Sequence, residues 1–277
     1  MSLLWRNRIQ IVLAPSRVTL VRLGRGIARQ VVDKRILPVP STAGATPWEA
    51  AVKATKTALN SFKNAPADVK VVVSNHFAHF LLLPQTGALD GAAERDAYAR
   101  LQFGKAFGVA AEDWAIQIDT SGNGTADVAC ATERALIDSL HEACAAADHR
   151  LVSVQPYLMA AFNTWRKQFD GEHVWLVLVE PEKLCLAVFR RGQWHSVRTI
   201  RVGQDWHEAL SELLEREMLV AGTETVVAPK LYLFAPDATA SGLSSNLATN
   251  VRRLQLAPRQ GFTPSQDVAY AMAMMGA

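Results

Sequence analysis

The chain has 277 residues, 49% of them hydrophobic and 20% charged, with a net charge of +3. That balance excludes a mostly disordered chain, and at about 150 residues per domain the length suits two cores large enough to fold without disulfide staples. A membrane helix is excluded too, because the best apolar stretch, Val174 to Phe189, is broken by Glu180, Pro181, Glu182 and Lys183.

Arg8 to Ala14 and Arg17 to Gly24 are alternating or β-rich runs joined by Pro15-Ser16, and Ile27 to Leu37 follows after Gly24-Arg25-Gly26. Together they predict a three-stranded meander. The first 40 residues hold eight Lys/Arg against one acidic residue, Asp33, so this end carries +7 and the rest of the chain −4. Such a basic end suits an anionic lipid surface or an acidic partner segment. Arginines that discourage aggregation at strand edges account for it equally well. No signal-peptide core precedes the first strand, so export is not expected. Thr46-Pro47-Trp48-Glu49 has the form of a capping box with proline at the first helical position, and predicts a helix from Pro47 to about Lys63. Its stripe of Trp48, Ala51, Val52, Thr55, Leu59 and Phe62 is suited to docking on a sheet. Val69 to Val73 then reads as a buried strand.

In the middle of the chain, strands are predicted at Phe77 to Leu83, Trp114 to Asp119, Asp127 to Ala131 and Leu151 to Gln155, and helices at Asp90 to Phe107 and Glu133 to Asp148. A turn at Ser121-Gly122-Asn123-Gly124 joins the second and third of these strands. This βαββαβ order is either a compact subdomain or an insertion that shares its last helix and strand with the first sheet. A helix from Leu158 to Phe169 leads to a boundary at Asp170-Gly171. The opening pattern then returns: strands at His173 to Val179, Leu184 to Arg190 and Gln193 to Val202, a helix from Asp205 with Glu208 as capping-box partner, and a strand at Lys230 to Phe234. The unit strand, strand, strand, helix, strand therefore occurs twice, and such recurrence is more informative than any single motif.

That plan is the α/β actin-like fold of two duplicated RNase H-like lobes, here with an inserted βαββαβ subdomain. Three segments carry a resemblance to a family: IQIVLAPSRVTLVRL (Ile9 to Leu23), ADHRLVSVQPYLMAAFNTW (Ala147 to Trp165) and TPSQDVAYAMAMMGA (Thr263 to Ala277). The chain resembles the actin-like accessory proteins of type IV pilus, MSHA pilus and type II secretion machines: the PilM group, its MshI relatives and the cytoplasmic part of GspL. The resemblance implies a first lobe over residues 1–169 with the insertion at about 74–150, and a second lobe over 170–277. It implies as well an Ala-rich closing helix over 264–277 that packs back on the first lobe.

In nucleotide-binding members the first hairpin reads like IGIDIGSSSVKLVEL, with an aspartate near the metal and a Gly/Ser turn whose N–H groups hold phosphate. Here Val12 stands at the aspartate, Ala14 at the first glycine, Pro15 at a serine and Thr19 at the lysine, leaving Ser16 and Thr19 as the remaining polar handles. Pro15 also removes a backbone donor. This degenerate loop predicts neither ATP hydrolysis nor use of ATP or Mg²⁺. An active ATPase or kinase relative, with other residues supplying the phosphate contacts, is the alternative.

Gly24-Arg25-Gly26 lies between two strands without a third glycine and reads as a hairpin turn rather than a dinucleotide fingerprint. His76 and His79 sit three apart on an extended segment, which turns their rings to opposite faces and away from a shared metal. Ser74 lacks the Gly-x-Ser-x-Gly context of a hydrolase, and the first strand lacks the carboxylates of a two-metal nuclease. No catalytic or metal residue is predicted. Arg190-Arg191 and Arg252-Arg253 are isolated pairs without interleaved aromatics, so nucleic acid is not an expected partner. Cys130, Cys144 and Cys185 are too widely spaced for a zinc site and read as small buried hydrophobes.

The segment Leu3-Leu4-Trp5-Arg6-Asn7-Arg8 has an apolar side and two arginines, so Leu3, Leu4, Trp5, Arg6 and Arg8 are candidates for membrane or partner contact, with an unordered or strand-leading terminus as the plainer reading. The resemblance implies a non-enzymatic scaffold, cytoplasmic and peripheral to the inner membrane. Its partner would be a membrane-anchored assembly protein of the PilN type, whose short cytoplasmic peptide docks against the first lobe and its insertion. Oligomeric state is left open.

Overall fold

The computed structural model describes residues 6–26, 29–40, 46–63, 65–84, 91–119, 126–203, 205–221, 229–236 and 251–275. The first sheet is built from β1 (Asn7–Leu13), β2 (Arg17–Leu23), β3 (Val31–Pro38), β4 (Ala67–Val73) and β8 (Arg150–Pro156), in the order β3-β2-β1-β4-β8. The second uses β9 (His173–Glu180), β10 (Lys183–Arg190), β11 (Gln193–Arg201), β12 (Lys230–Phe234) and β13 (Val251–Arg253), in the order β11-β10-β9-β12-β13. Each sheet is an antiparallel meander followed by two strands that run parallel to its first, so the duplication is one of topology as well as pattern.

Alternate residues of the first strand serve two cores. Ile9, Ile11 and Leu13 pack on one face against α1 (Pro47–Asn60) and α3 (Arg134–Ala146), while Val12 faces the core between the lobes. Burial on both faces is why β9 and β10 are almost continuously apolar, whereas β1 and β2 also bury Gln10 and Thr19. The interlobe core joins Val12, Val21 and Val72 of the first sheet to Leu176, Leu178 and Ala187 of the second. Between the two sheets lies α4 (Tyr157–Trp165), with Tyr157, Leu158, Ala161 and Trp165 buried. On the far side of the second sheet, α5 (Trp206–Ala221) buries Trp206, Leu210 and Leu214.

α1 buries the stripe read from the sequence, but Thr46 makes no side-chain cap, and the Glu49 N–H bonds only to the Thr46 carbonyl at 3.0 Å. Trp48 Nε1–H instead donates to Glu133 at 2.8 Å, so a tertiary contact anchors this end. In the insertion, β5 (His79–Leu83), β6 (Trp114–Asp119) and β7 (Asp127–Glu133) form a small antiparallel sheet ordered β5-β7-β6, covered by α2 (Ala92–Phe107). Of the two arrangements left open by the sequence, the shared one is found: α3 packs on α1 and β8 extends the first sheet. The turn expected at Ser121 to Gly124 lies outside the described residues.

One strand is added to those read from the sequence and one expectation is corrected. β13 went unread because its dibasic Val-Arg-Arg carries no apolar signal; it takes the place in the second sheet that β8 has in the first. The closing helix over 264–277 is instead two 3-10 turns, Val268–Tyr270 and Met272–Met274, lying against β1, β2 and β4 of the first lobe. Met272, Ala273, Met274 and Met275 are all buried there, and contact on every side suits a tight turn better than a one-sided amphipathic helix. No helix among the described residues is long and apolar enough to cross a membrane.

Candidate functional site

The β1–β2 and β9–β10 turns face each other across the lobes. Val12 is 2% exposed and packs in the interlobe core, paired in register with Thr19, itself buried. The Ala14 N–H closes the turn on the Arg17 carbonyl at 3.1 Å, and the Ser16 carbonyl accepts from the Val39 N–H at 2.9 Å. With the Ala14 N–H spent within the chain and no N–H on Pro15, the start of the turn offers neither donor.

The second lobe closes the space from the other side. Glu180, the last residue of β9, is 5% exposed, and its carboxyl accepts from the Ser74 hydroxyl and from the Asn75 N–H at 3.1 Å. Asn75 Oδ1 accepts in turn from the Leu158 N–H at the start of α4, at 3.1 Å. His76 Nε2–H reaches back to the Pro181 carbonyl at 2.9 Å, and the His76 N–H donates to Ser74 Oγ at 3.2 Å. Burial pushes the Glu180 carboxyl up to about 7, against the opposing pull of the Ser74 and Asn75 hydrogen bonds and of Lys183. The cavity left between the turns is about 90 Å³. Small-molecule sites are typically roughly 300 Å³ or more.

The other sequence candidates are dispersed. His79 stacks on Trp114 at 4.2 Å, its pKa lowered to about 4 by burial, and lies apart from the His76 contact with Pro181. Among the described residues, no group of three metal-ligating side chains comes together. Leu3, Leu4 and Trp5 lie outside the described residues. Arg6 is turned inward to Asp68 at 3.5 Å, where Arg150 also binds at 2.9 and 3.0 Å, and Arg8 sits half-buried on β1. Arg252 of the second dibasic pair binds Asp170 at 3.1 Å. Cys144 and Cys185 are buried, but Cys130 is only partly so and lines the groove described next, its thiol made less acidic by its surroundings.

A groove of about 670 Å³ lies between the insertion and the first lobe. It is lined by five consecutive residues of β6, Ala115 to Asp119, and all of β8 from Leu151 to Pro156. Successive strand residues point to opposite faces, so an unbroken run of lining residues means that each strand presents its edge. Both are terminal strands of their sheets, and among the described residues each has one side without a strand partner. Val128 and Cys130 of β7 and Met159, Asn163 and Arg166 at α4 complete the lining, and Val152 stands 41% exposed. The sequence signal for this site is faint, since two short strands 30 residues apart do not say that their edges will meet.

No family model and no curated protein matches the chain. Solved structures do, and they establish the class: a Bacteroides thetaiotaomicron protein with an actin-like ATPase fold superposes with a TM-score of 0.60 at 11% identity, over 91% of each chain. The fold is therefore actin-like. More particularly, the chain is similar to a PilM-PilN type IV pilus biogenesis complex, with a TM-score of 0.67 at 15% identity over 97% of this chain and 98% of that one. It is also similar to the cytoplasmic domain of EpsL, an inner membrane component of the type II secretion system of Vibrio cholerae, with a TM-score of 0.58 at 13% identity over 98% and 94%. The latter two belong to the pilus and secretion group that the first hairpin, the Ala147 to Trp165 segment and the stretch from Thr263 resemble.

Proposed function

We propose that this chain is a non-enzymatic, actin-like adaptor of a pilus or secretion assembly platform at the cytoplasmic face of the inner membrane. It binds an extended cytoplasmic peptide of a membrane-anchored partner in the groove between β6 and β8. The observation that carries this reading is the pair of facing strand edges. An extended segment laid between them gains main-chain hydrogen bonds from either edge, and the side chains lining the groove select its sequence. The likeness to a PilM-PilN complex agrees with a partner of the PilN type.

The interlobe cleft supports the absence of ATP chemistry in this reading. The Ala14 N–H of the first turn is spent within the chain, Pro15 has none, and the Glu180 carboxyl with its partners fills the space between the turns. The test is a pull-down from membrane extracts followed by mass spectrometry, comparing the wild-type chain with Val152→Arg. A single-span membrane protein captured by the first and lost from the second is expected. Equal capture by both chains would refute the groove as the docking site.

A further inference from the structure

We infer that Glu180 is a proton-operated clasp between the two lobes: neutral, it holds the cleft closed, and ionised, it favours opening. The geometry is that of a clasp. Glu180 ends β9 in the second lobe, and its partners, the Ser74 hydroxyl and the Asn75 N–H, follow β4 in the first. His76 crosses the same boundary in the other direction to the Pro181 carbonyl. Asn75 is held from behind by the Leu158 N–H, so the first-lobe side is anchored to α4. A carboxylate enclosed between two lobes loses its water, and parting the lobes returns it, so ionisation and opening favour one another.

The charged and titratable groups facing the clasp come from every element around it. Lys183 and Cys185 lie on β10 and Arg201 on β11; Glu182 is in the turn, Arg17 is at the cavity wall on β2, and His76 is in the first lobe. Lys183 favours the ionised carboxyl, but burial outweighs it and raises the closed-state pKa to about 7 from an ordinary value of 4.5. Between those two values the opened protein releases a proton that the closed one keeps. The opening equilibrium therefore rises about tenfold for each pH unit in that window and is constant above it. His76 has the opposite sign: burial lowers its basicity, so its protonation favours opening as the pH falls.

The inference stands on the cleft alone and does not depend on the peptide groove. It is tested by amide hydrogen exchange on the full chain, read at Asn75 and His76 from pH 5 to 8.5 and corrected for intrinsic exchange. His76→Gln, which keeps an N–H donor for Pro181, serves as the background that removes the opposing titration. Protection should fall about tenfold per pH unit up to about pH 7 and then level off. Glu180→Gln should abolish the dependence, and Ser74→Ala, which removes a donor to the ionised form, should move the levelling point to higher pH. Protection independent of pH, or the same fall in Glu180→Gln, overturns the clasp. Should Glu180→Gln not fold, an unmoved levelling point in Ser74→Ala overturns it equally.

Discussion

The cleft between the lobes and the groove beside the insertion are built from the same first sheet, yet they solve opposite problems. In the cleft the polar groups bind one another across the lobes: Ser74, Asn75 and His76 bind Glu180 and Pro181, and about 90 Å³ is left between the turns. In the groove the two terminal strands turn their edges to a space of about 670 Å³. The cleft spends its polar groups on internal hydrogen bonds, while two terminal strand edges line the groove at the flank. Substitutions in the cleft should therefore act on stability, and those in the groove on association.

The largest effect should come from Glu180→Ala, which leaves the buried Ser74 hydroxyl and Asn75 N–H without their acceptor and should cost about 2 kcal/mol or more in denaturant unfolding at neutral pH. A loss below about 0.5 kcal/mol would show that the cleft is not the structural half of the comparison. Val152→Arg should lower partner capture at least tenfold, about 1.4 kcal/mol, while unfolding shifts by no more than about 0.5 kcal/mol. A variant that loses both together would blur the distinction. Arg6→Ala should change stability by about 0.5 kcal/mol or less, because Arg150 keeps Asp68 paired. If the basic end steers association, adding Arg8→Ala should weaken capture more at low salt than at high, and salt-independent capture argues against steering. Last, 1 mM Mg-ATP should leave the melting temperature unmoved, whereas a site of micromolar affinity would add about 4 kcal/mol.

The repeat of strands and helix was legible because sandwiched strands bury apolar residues on both faces, nearly without a break in β9 and β10 and with a few polar interruptions in β1 and β2. The α1 stripe was legible for the same reason at helical period. Illegible elements lacked that pressure. β13 pairs through its backbone while Arg252 and Arg253 stay exposed, so nothing in its side chains marks a strand. The Thr46 capping box looks sound in sequence, yet Trp48 reaching Glu133 settles the helix start instead. In the candidate sites, the departures of Ala14 and Pro15 from the family hairpin were readable residue by residue. That Glu180 would cross to Ser74 was not, because 106 residues separate them.

By itself the sequence determined the two related lobes, the inserted segment and the proline in the first turn, because each rests on local periodicity or on the identity of one residue. Tertiary structure alone decided that α3 and β8 belong to the first lobe, that the chain ending packs as tight turns on it, and that β6 and β8 face one another. Those outcomes depend on which edges and faces meet across long stretches of chain. A strand edge is made of backbone, which every residue carries alike, so the residue order cannot announce it.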